Sequence, residues 1–211
     1  MTLHSVSTSY PDFPSPAEKQ LASSWLDMFR DTITCPHCRE HFGGIYATYK
    51  RIYPNYLDSR QNFAMFAFRV HNTVNRRLKK PVYETVAACM ERLQENVKTR
   101  SARDYRVAYI NHIQKFWRTF QDVTGIVALK KINEMRRIEG EYFSLKDTGF
   151  NVQLREEPVT VARGVLEADT PELVSSAGTP IVFRPVDTNR VASRMPMGGG
   201  FRMTANGLRL R

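Results

Sequence analysis

The sequence has no run of about 18 apolar residues, which excludes an ordinary membrane-spanning helix. Its opening, Met1-Thr2-Leu3-His4-Ser5, lacks the basic start and apolar stretch of a secretory signal, so an unsecreted chain is expected, in the cytoplasm or within a virus particle. Cysteine is scarce. Three in 211 residues do not build the disulfide framework of a small secreted domain. Two of them form Cys35-Pro36-His37-Cys38. The third, Cys89, lies in the apolar stretch Val86-Ala87-Ala88-Cys89-Met90 and is expected to be a buried, inert thiol. No second C-x-x-C accompanies the first pair, and no metal is expected. No internal repeat is visible. From Asn189 onward there is no acidic residue, only five arginines around Gly198-Gly199-Gly200, a composition that cannot build a core.

What is present is ordinary for a globular chain: 42% hydrophobic and 25% charged residues. The net charge of +10 is evenly spread, with 14 Lys/Arg against 9 Asp/Glu in residues 1–100 and 17 against 12 in residues 101–211. Such an excess suits a partner with a negative surface, and it equally suits a solvated basic exterior.

Apolar periodicity predicts helices through the first 97 residues. A short helix over 1–9 ends at Tyr10-Pro11. Ser15-Pro16-Ala17-Glu18 reads as a helix start with Ser15 as cap, followed by Leu21, Trp25, Met28 and Phe29 at helical spacing. A third helix runs from Pro36 to about Arg51. A fourth, from Arg60 to about Lys79, carries the stripe Phe63, Phe66, Val70, Val74 and Leu78 and stops before Pro81. A fifth extends to about Val97. The short loops favour a bundle of antiparallel neighbours. Tyr109, Ile113, Phe116, Phe120 and Val123 outline a further helix, with another over 126–142. From about Ser144 the helical period is lost, and Val152-Gln153-Leu154-Arg155 and Pro180-Ile181-Val182-Phe183-Arg184 look extended. The chain is thus read as all-α, with a bundle over 1–97, a helical extension over 98–143, and an extended basic arm over 144–211 that orders against a partner.

The chemistry concentrates at two places. Cys35 and Cys38 flank the start of the third helix, where amide donors, the macrodipole, His37 and Arg39 favour the thiolate. That is the setting of a reversible redox disulfide. In the fourth helix, His71-Asn72-Thr73-Val74-Asn75 puts His71 and Asn75 one turn apart on one face, with Ala67 leaving room beside them. This is either a ligand-binding edge or a solvated one.

Three stretches in this order and spacing resemble the Erv/ALR flavin-dependent sulfhydryl oxidases: Leu3-His4 with Tyr10-Pro11, Cys35-Pro36-His37-Cys38-Arg39-Glu40-His41-Phe42, and His71-Asn72-Thr73-Val74-Asn75-Arg76-Arg77-Leu78-Lys79-Lys80-Pro81. The likeness covers residues 1–95. It implies a four-helix bundle with a short fifth helix that holds FAD at its mouth. By that resemblance Cys35 meets the substrate thiol and Cys38 contacts the flavin, while His4, Tyr10, His41, His71, Asn75 and Lys80 take the places of FAD contacts. The implied reaction joins two thiols of a protein substrate into a disulfide and reduces oxygen to hydrogen peroxide. A homodimer paired through the first helices is also implied. Three features depart from the family pattern. The Trp four residues before the histidine matching His4 falls outside the sequence. Phe68 and Thr85 stand where many members carry a stapling disulfide, and there is no distal C-x-x-C. Residues 100–211 resemble no known module. Basic arms of this kind are common in large assemblies, which supports an alternative: a bundle reused as a structural or docking protein, for instance inside a virus particle, with reduced or no redox activity. Direct nucleic-acid binding by Arg190, Arg194, Arg202, Arg209 and Arg211 is a weaker reading, because only Phe201 is interleaved among them.

Overall fold

A computed structural model describes residues 1–160, which lie within one compact unit. They form seven α-helices: α1 (Thr2–Thr8), α2 (Pro16–Thr32), α3 (Pro36–Ile52), α4 (Arg60–Arg77), α5 (Val86–Val97), α6 (Ala102–Trp117) and α7 (Val123–Glu141), then a 3-10 turn, Phe143–Lys146. No described helix is long and apolar enough to cross a membrane.

Local chemistry explains most boundaries. Ser15 accepts from the Glu18 amide while the Glu18 carboxylate accepts from the Ser15 amide, so the predicted capping box opens α2. Ser101 and Asp104 repeat the device at α6. Ser59, Thr85 and Asp122 cap α4, α5 and α7 through their side-chain oxygens. Helix α4 ends at Arg77, two residues before the expected Lys79. Lys79 takes a left-handed φ of 54°, and the Lys80 amide donates to the Asn75 carbonyl. Leu78, read as core, is therefore at the cap and 49% exposed.

Helix α4 is buried on two flanks. On one side Phe63, Phe66 and Val70 join Trp25, Leu26, Ile45, Tyr46 and Tyr49 of α2 and α3. On the other Ala64, Met65 and Phe68 pack with Val86, Cys89, Met90 and Leu93 of α5. Residues 98–143 are not an appendage to this bundle. Ile110, Ile113 and Trp117 of α6 and Ile132, Met135 and Ile138 of α7 belong to the first of these cores, and the two helices lie against α1 and α2.

Residues 144–160, expected to belong to the arm, pack against the bundle instead. Phe150 and Val159 are fully buried in the second core. The Gln61 amide pairs with the backbone of Arg155 in both directions, at 2.9 and 3.0 Å. The Glu156 carboxylate accepts from the Val86 and Ala87 amides at the N-terminus of α5. Val152–Arg155 is extended without being a strand, because a side-chain amide takes the place of a neighbouring strand. Residues 161–211, including Pro180–Arg184 and the terminal arginines, lie outside the described residues.

One charged cluster ties the late helices to α1. Arg106, 1% exposed, donates to both carboxylate oxygens of Glu139 (2.7 and 3.2 Å), to Asp147 (3.0 Å) and to the Phe143 carbonyl, and it also reaches the Ser5 hydroxyl. Removing one member of such a buried pair strands the other. Arg106→Leu should therefore cost about 3–5 kcal/mol in chemical denaturation, while Arg106→Leu with Glu139→Leu should recover a large part of that loss.

Candidate redox site

The redox candidate is built at the start of α3. Cys35 is the N-cap, its Sγ accepting from the Cys38 amide at 3.2 Å, and Pro36 fills the first helical turn, where a missing N–H costs nothing. Cys35 and Cys38 are joined in a disulfide, and both are exposed. The loop ahead of them is clamped from α6 and α3. Trp117 Nε1 donates to the Thr32 carbonyl at 2.9 Å, and Arg39 Nη1 to the Ile33 carbonyl at 3.2 Å.

Cys38, and not Cys35, lines a cleft of about 400 Å³ whose walls include Phe29, Phe42, Val70, Val74 and Tyr109 together with His4, His41 and His71. The two cysteines of one disulfide therefore face different surroundings. A second cleft of about 290 Å³ lies on the far side of His4 and His71, which border both; Asn75, Lys80, Arg92 and Phe68 are among its walls. Five of the six residues expected to hold a cofactor, namely His4, His41, His71, Asn75 and Lys80, are thus gathered with Cys38 around one two-lobed groove. The sixth, Tyr10, is not. It is fully buried in the core, its ring edge-on to Phe63 and its hydroxyl donating to the Leu57 carbonyl at 3.0 Å.

His4 and His71 share one hydrogen bond, Nε2 to Nδ1 at 2.8 Å. Such a bond needs one N–H and one free lone pair, so two protonated rings cannot make it. Burial, then the N-terminal amine and His71, hold His4 well below the usual histidine range. Burial, then the amine and Lys80, lower His71 as well. The other ring nitrogen of His4, Nδ1, is buried with no hydrogen-bond partner among the described residues. A buried polar atom left unmatched at the junction of two clefts is what a bound polar ligand would satisfy.

Asn75 has a second role that its place in the motif did not reveal. Its Nδ2 donates to the Pro81 carbonyl (3.0 Å), while Asn72 bonds both the amide and the carbonyl of Tyr83 (3.1 and 2.6 Å). The two asparagines pin the loop that carries Lys80. Reading by motif also missed Phe68, whose ring lies 5.3 Å from His4, and Arg92. Cys89, Arg92 and Asn96 recur at helical spacing along one face of α5, a signal the sequence does contain. At the positions of the absent staple, Phe68 packs in the second core and Thr85 caps α5. Cys89 is buried at 6% exposure, and burial followed by Glu156 pushes its thiol up to about 11.

Residues 1–104 match the model of the Erv1 / Alr family. The chain is 30% identical over 81 residues to the FAD-linked sulfhydryl oxidase ERV2 of Saccharomyces cerevisiae, covering 38% of this chain and 39% of that protein. It is 32% identical over 81 residues to a FAD-linked sulfhydryl oxidase of African swine fever virus, covering 38% and 65%. It is 34% identical over 82 residues to the putative FAD-linked sulfhydryl oxidase 096R of Invertebrate iridescent virus 3, covering 38% and 53%. The chain thus spans between about two fifths and two thirds of the length of these relatives. No solved structure matches it.

Two measurements probe the site. Between the ordinary histidine pKa of about 6.5 and the lower folded values, the unfolded chain binds protons that the His4–His71 pair refuses. Stability should therefore be full above that pKa and fall as the pH drops from 7 to 5. His4→Gln should flatten this slope when denaturation midpoints are compared across pH. After reduction, iodoacetamide at pH 8 should label Cys35 and Cys38 quickly and Cys89 only under denaturing conditions.

Proposed function

We propose that this chain, whose residues 1–104 form an Erv1 / Alr family module, is a FAD-linked thiol oxidase that joins substrate thiols into disulfides and passes the electrons to oxygen. The observation that carries the reading is the asymmetry of the disulfide: an exposed pair at the head of α3 of which Cys38 alone borders the histidine-walled cleft.

The groove fits FAD. Its first lobe offers the apolar walls of Phe42, Val70 and Val74 to a planar ring beside Cys38, and its second places Lys80 and Arg92 where an anionic tail would lie. The unmatched His4 Nδ1 offers a hydrogen bond between them. Met1, His4, His41, His71, Asn75 and Lys80 are the residues that would hold the cofactor, with Asn72 and Asn75 fixing the loop of Lys80. When bound, FAD supplies a two-electron acceptor next to the disulfide that can be reoxidised by oxygen.

The protein's own steps follow from its geometry. A substrate thiolate attacks Cys35 Sγ; the Cys35–Cys38 bond breaks, a mixed disulfide forms at Cys35, and Cys38 leaves as a thiolate facing the cleft. A second substrate thiolate attacks the substrate sulfur of the mixed disulfide, and Cys35 leaves. The Cys38 amide and the N-terminal end of α3 stabilise negative charge on Cys35 Sγ. The Cys35–Cys38 pair, left as a dithiol, would re-form its disulfide by giving two electrons and two protons through the bound FAD to oxygen, so that two substrate thiols and one O2 yield one disulfide and one hydrogen peroxide. The low proton affinity of His4 and His71 keeps these two rings uncharged at neutral pH. Two of the relatives named above being viral, a virus particle or the cytoplasm is the setting this reading expects.

Purified protein should be yellow, and its flavin band should bleach with dithiothreitol and recover in air. Cys38→Ala should reduce oxygen consumption to background while leaving the helical circular-dichroism spectrum unchanged. Colourless protein with Cys35 and Cys38 intact, or unchanged turnover in Cys38→Ala, would sink the assignment.

A further inference from the structure

The ends of α6 and α7 that meet the redox loop carry an apolar ledge that the bundle does not use. Phe120, Val123, Ile126 and Val127 are 41, 75, 51 and 44% exposed. A groove of about 400 Å³ runs between this ledge and the disulfide's own helix, lined by Val123, Val127, Trp117 and Lys131 on one side and by Arg39 and Asp31 on the other. Arg39 lies one turn after Cys35, its amide bonded to the Cys35 carbonyl at 2.9 Å, so the groove borders the helix that starts at the outward cysteine. The ledge is held firmly. A Cβ at Gly125 would sit 2.2 Å from the Phe120 carbonyl oxygen, so only glycine lets the 118–122 turn close against α7. Trp117 is anchored to Thr32 beneath it.

Charge selects the occupant further. Asp31 is paired with Arg30 and Lys131, and Asp122 caps α7. Arg39 lies over the Trp117 ring at 5.6 Å and pairs with no carboxylate among the described residues. The groove therefore presents apolar surface next to a cation that has no carboxylate partner among the described residues, on the helix that carries the disulfide. A second copy of this chain has little to offer there, since its three cysteines are the disulfide pair and the buried Cys89.

We propose that this ledge, formed by helices beyond the family module, docks the segment of a substrate polypeptide that delivers its thiol to Cys35: an extended stretch with bulky apolar side chains and a carboxylate close to its cysteine. This rests on the thiol-oxidase reading for its purpose. The docking itself is separable from turnover, because the apolar side chains bury against Val123 and Val127 and the carboxylate meets Arg39, while the reacting sulfurs lie outside the groove.

The test traps the encounter without oxidase turnover. Cys38→Ala leaves Cys35 a free thiol. It is mixed with peptides whose single cysteine is activated as a 2-pyridyl disulfide; Cys35 thiolate attacks the peptide sulfur, a Cys35–peptide disulfide forms, and pyridine-2-thione leaves. A peptide with Leu, Phe and Asp beside the cysteine should react roughly tenfold faster or more than one flanked by Gly and Ser, as expected for burying one or two apolar side chains. Adding Val123→Asp and Val127→Asp should erase that preference and leave the Gly/Ser rate unchanged. Val123→Ser with Val127→Ser should do the same to a smaller degree, and it serves if the aspartates disturb α7. Equal rates for the two peptides, or a preference that survives both double variants, overturns the proposal. So does a wild-type dimer that the aspartate variant dissociates, since the ledge is then a self-interface. Dithiothreitol oxidation by the intact protein reads the other question: failure there removes the oxidase reading while a surviving peptide preference keeps the ledge.

Discussion

Helix α4 is walled in on two flanks, and the geometry around the disulfide depends on that confinement. Phe63, Phe66 and Val70 lock one side to α2 and α3, and Ala64, Met65 and Phe68 lock the other to α5. A helix held this way cannot rotate without emptying one core to fill the other, and close-packed interiors penalise both changes. His71, Asn72 and Asn75 at its far end are therefore fixed in direction. His71 faces His4 of α1, and the two asparagines grip the loop that carries Lys80. The groove inherits its shape from a helix held by apolar packing on both flanks.

That confinement also sets the electrostatics. His4 is enclosed by Phe68, His71 and the start of the chain, so the desolvation that keeps it neutral comes from the same packing that holds α4. A neutral pair with one unmatched nitrogen makes a hydrogen-bonding wall without adding positive charge beside the thiolate chemistry at Cys38. Lys80 and Arg92 line the second lobe, where they suit an anionic group rather than a ring.

What the sequence made readable was local. The Ser15–Glu18 box, the Cys35 cap and the apolar period of α2 to α5 are encoded within a few residues of where they act, and they appear as expected. Of the six residues that the resemblance places at a cofactor, five line the two adjoining clefts. Tyr10 failed because its place was taken from motif position, while its burial is decided by Phe63 and Leu57, about fifty residues away. Residues 98–160 misled for the same reason. Their apolar spacing is legible, but the partners that make them core are distant: Trp117 with Thr32, Arg106 with Ser5 and Glu139, Gln61 with Arg155. A stretch such as Val152–Arg155 looks unsupported until a glutamine from α4 supplies the hydrogen bonds.

The same long-range contacts divide labour across the chain. The module that matches the Erv1 / Alr family ends near the start of α6, yet the loop presenting Cys35 is braced by Trp117 near the end of that helix. Arg106 joins α6, α7 and α1 through Glu139, Phe143 and Ser5, so the hairpin of α6 and α7 is fastened at its root by buried charge and at its tip by the indole bond to Thr32. A segment fastened at both ends thus stands beside the loop that presents Cys35, with Phe120, Val123 and Val127 left exposed on it. Under the proposed thiol-oxidase reading, electron transfer falls to helices α1 to α5, and the choice of which thiols arrive falls to the two that follow.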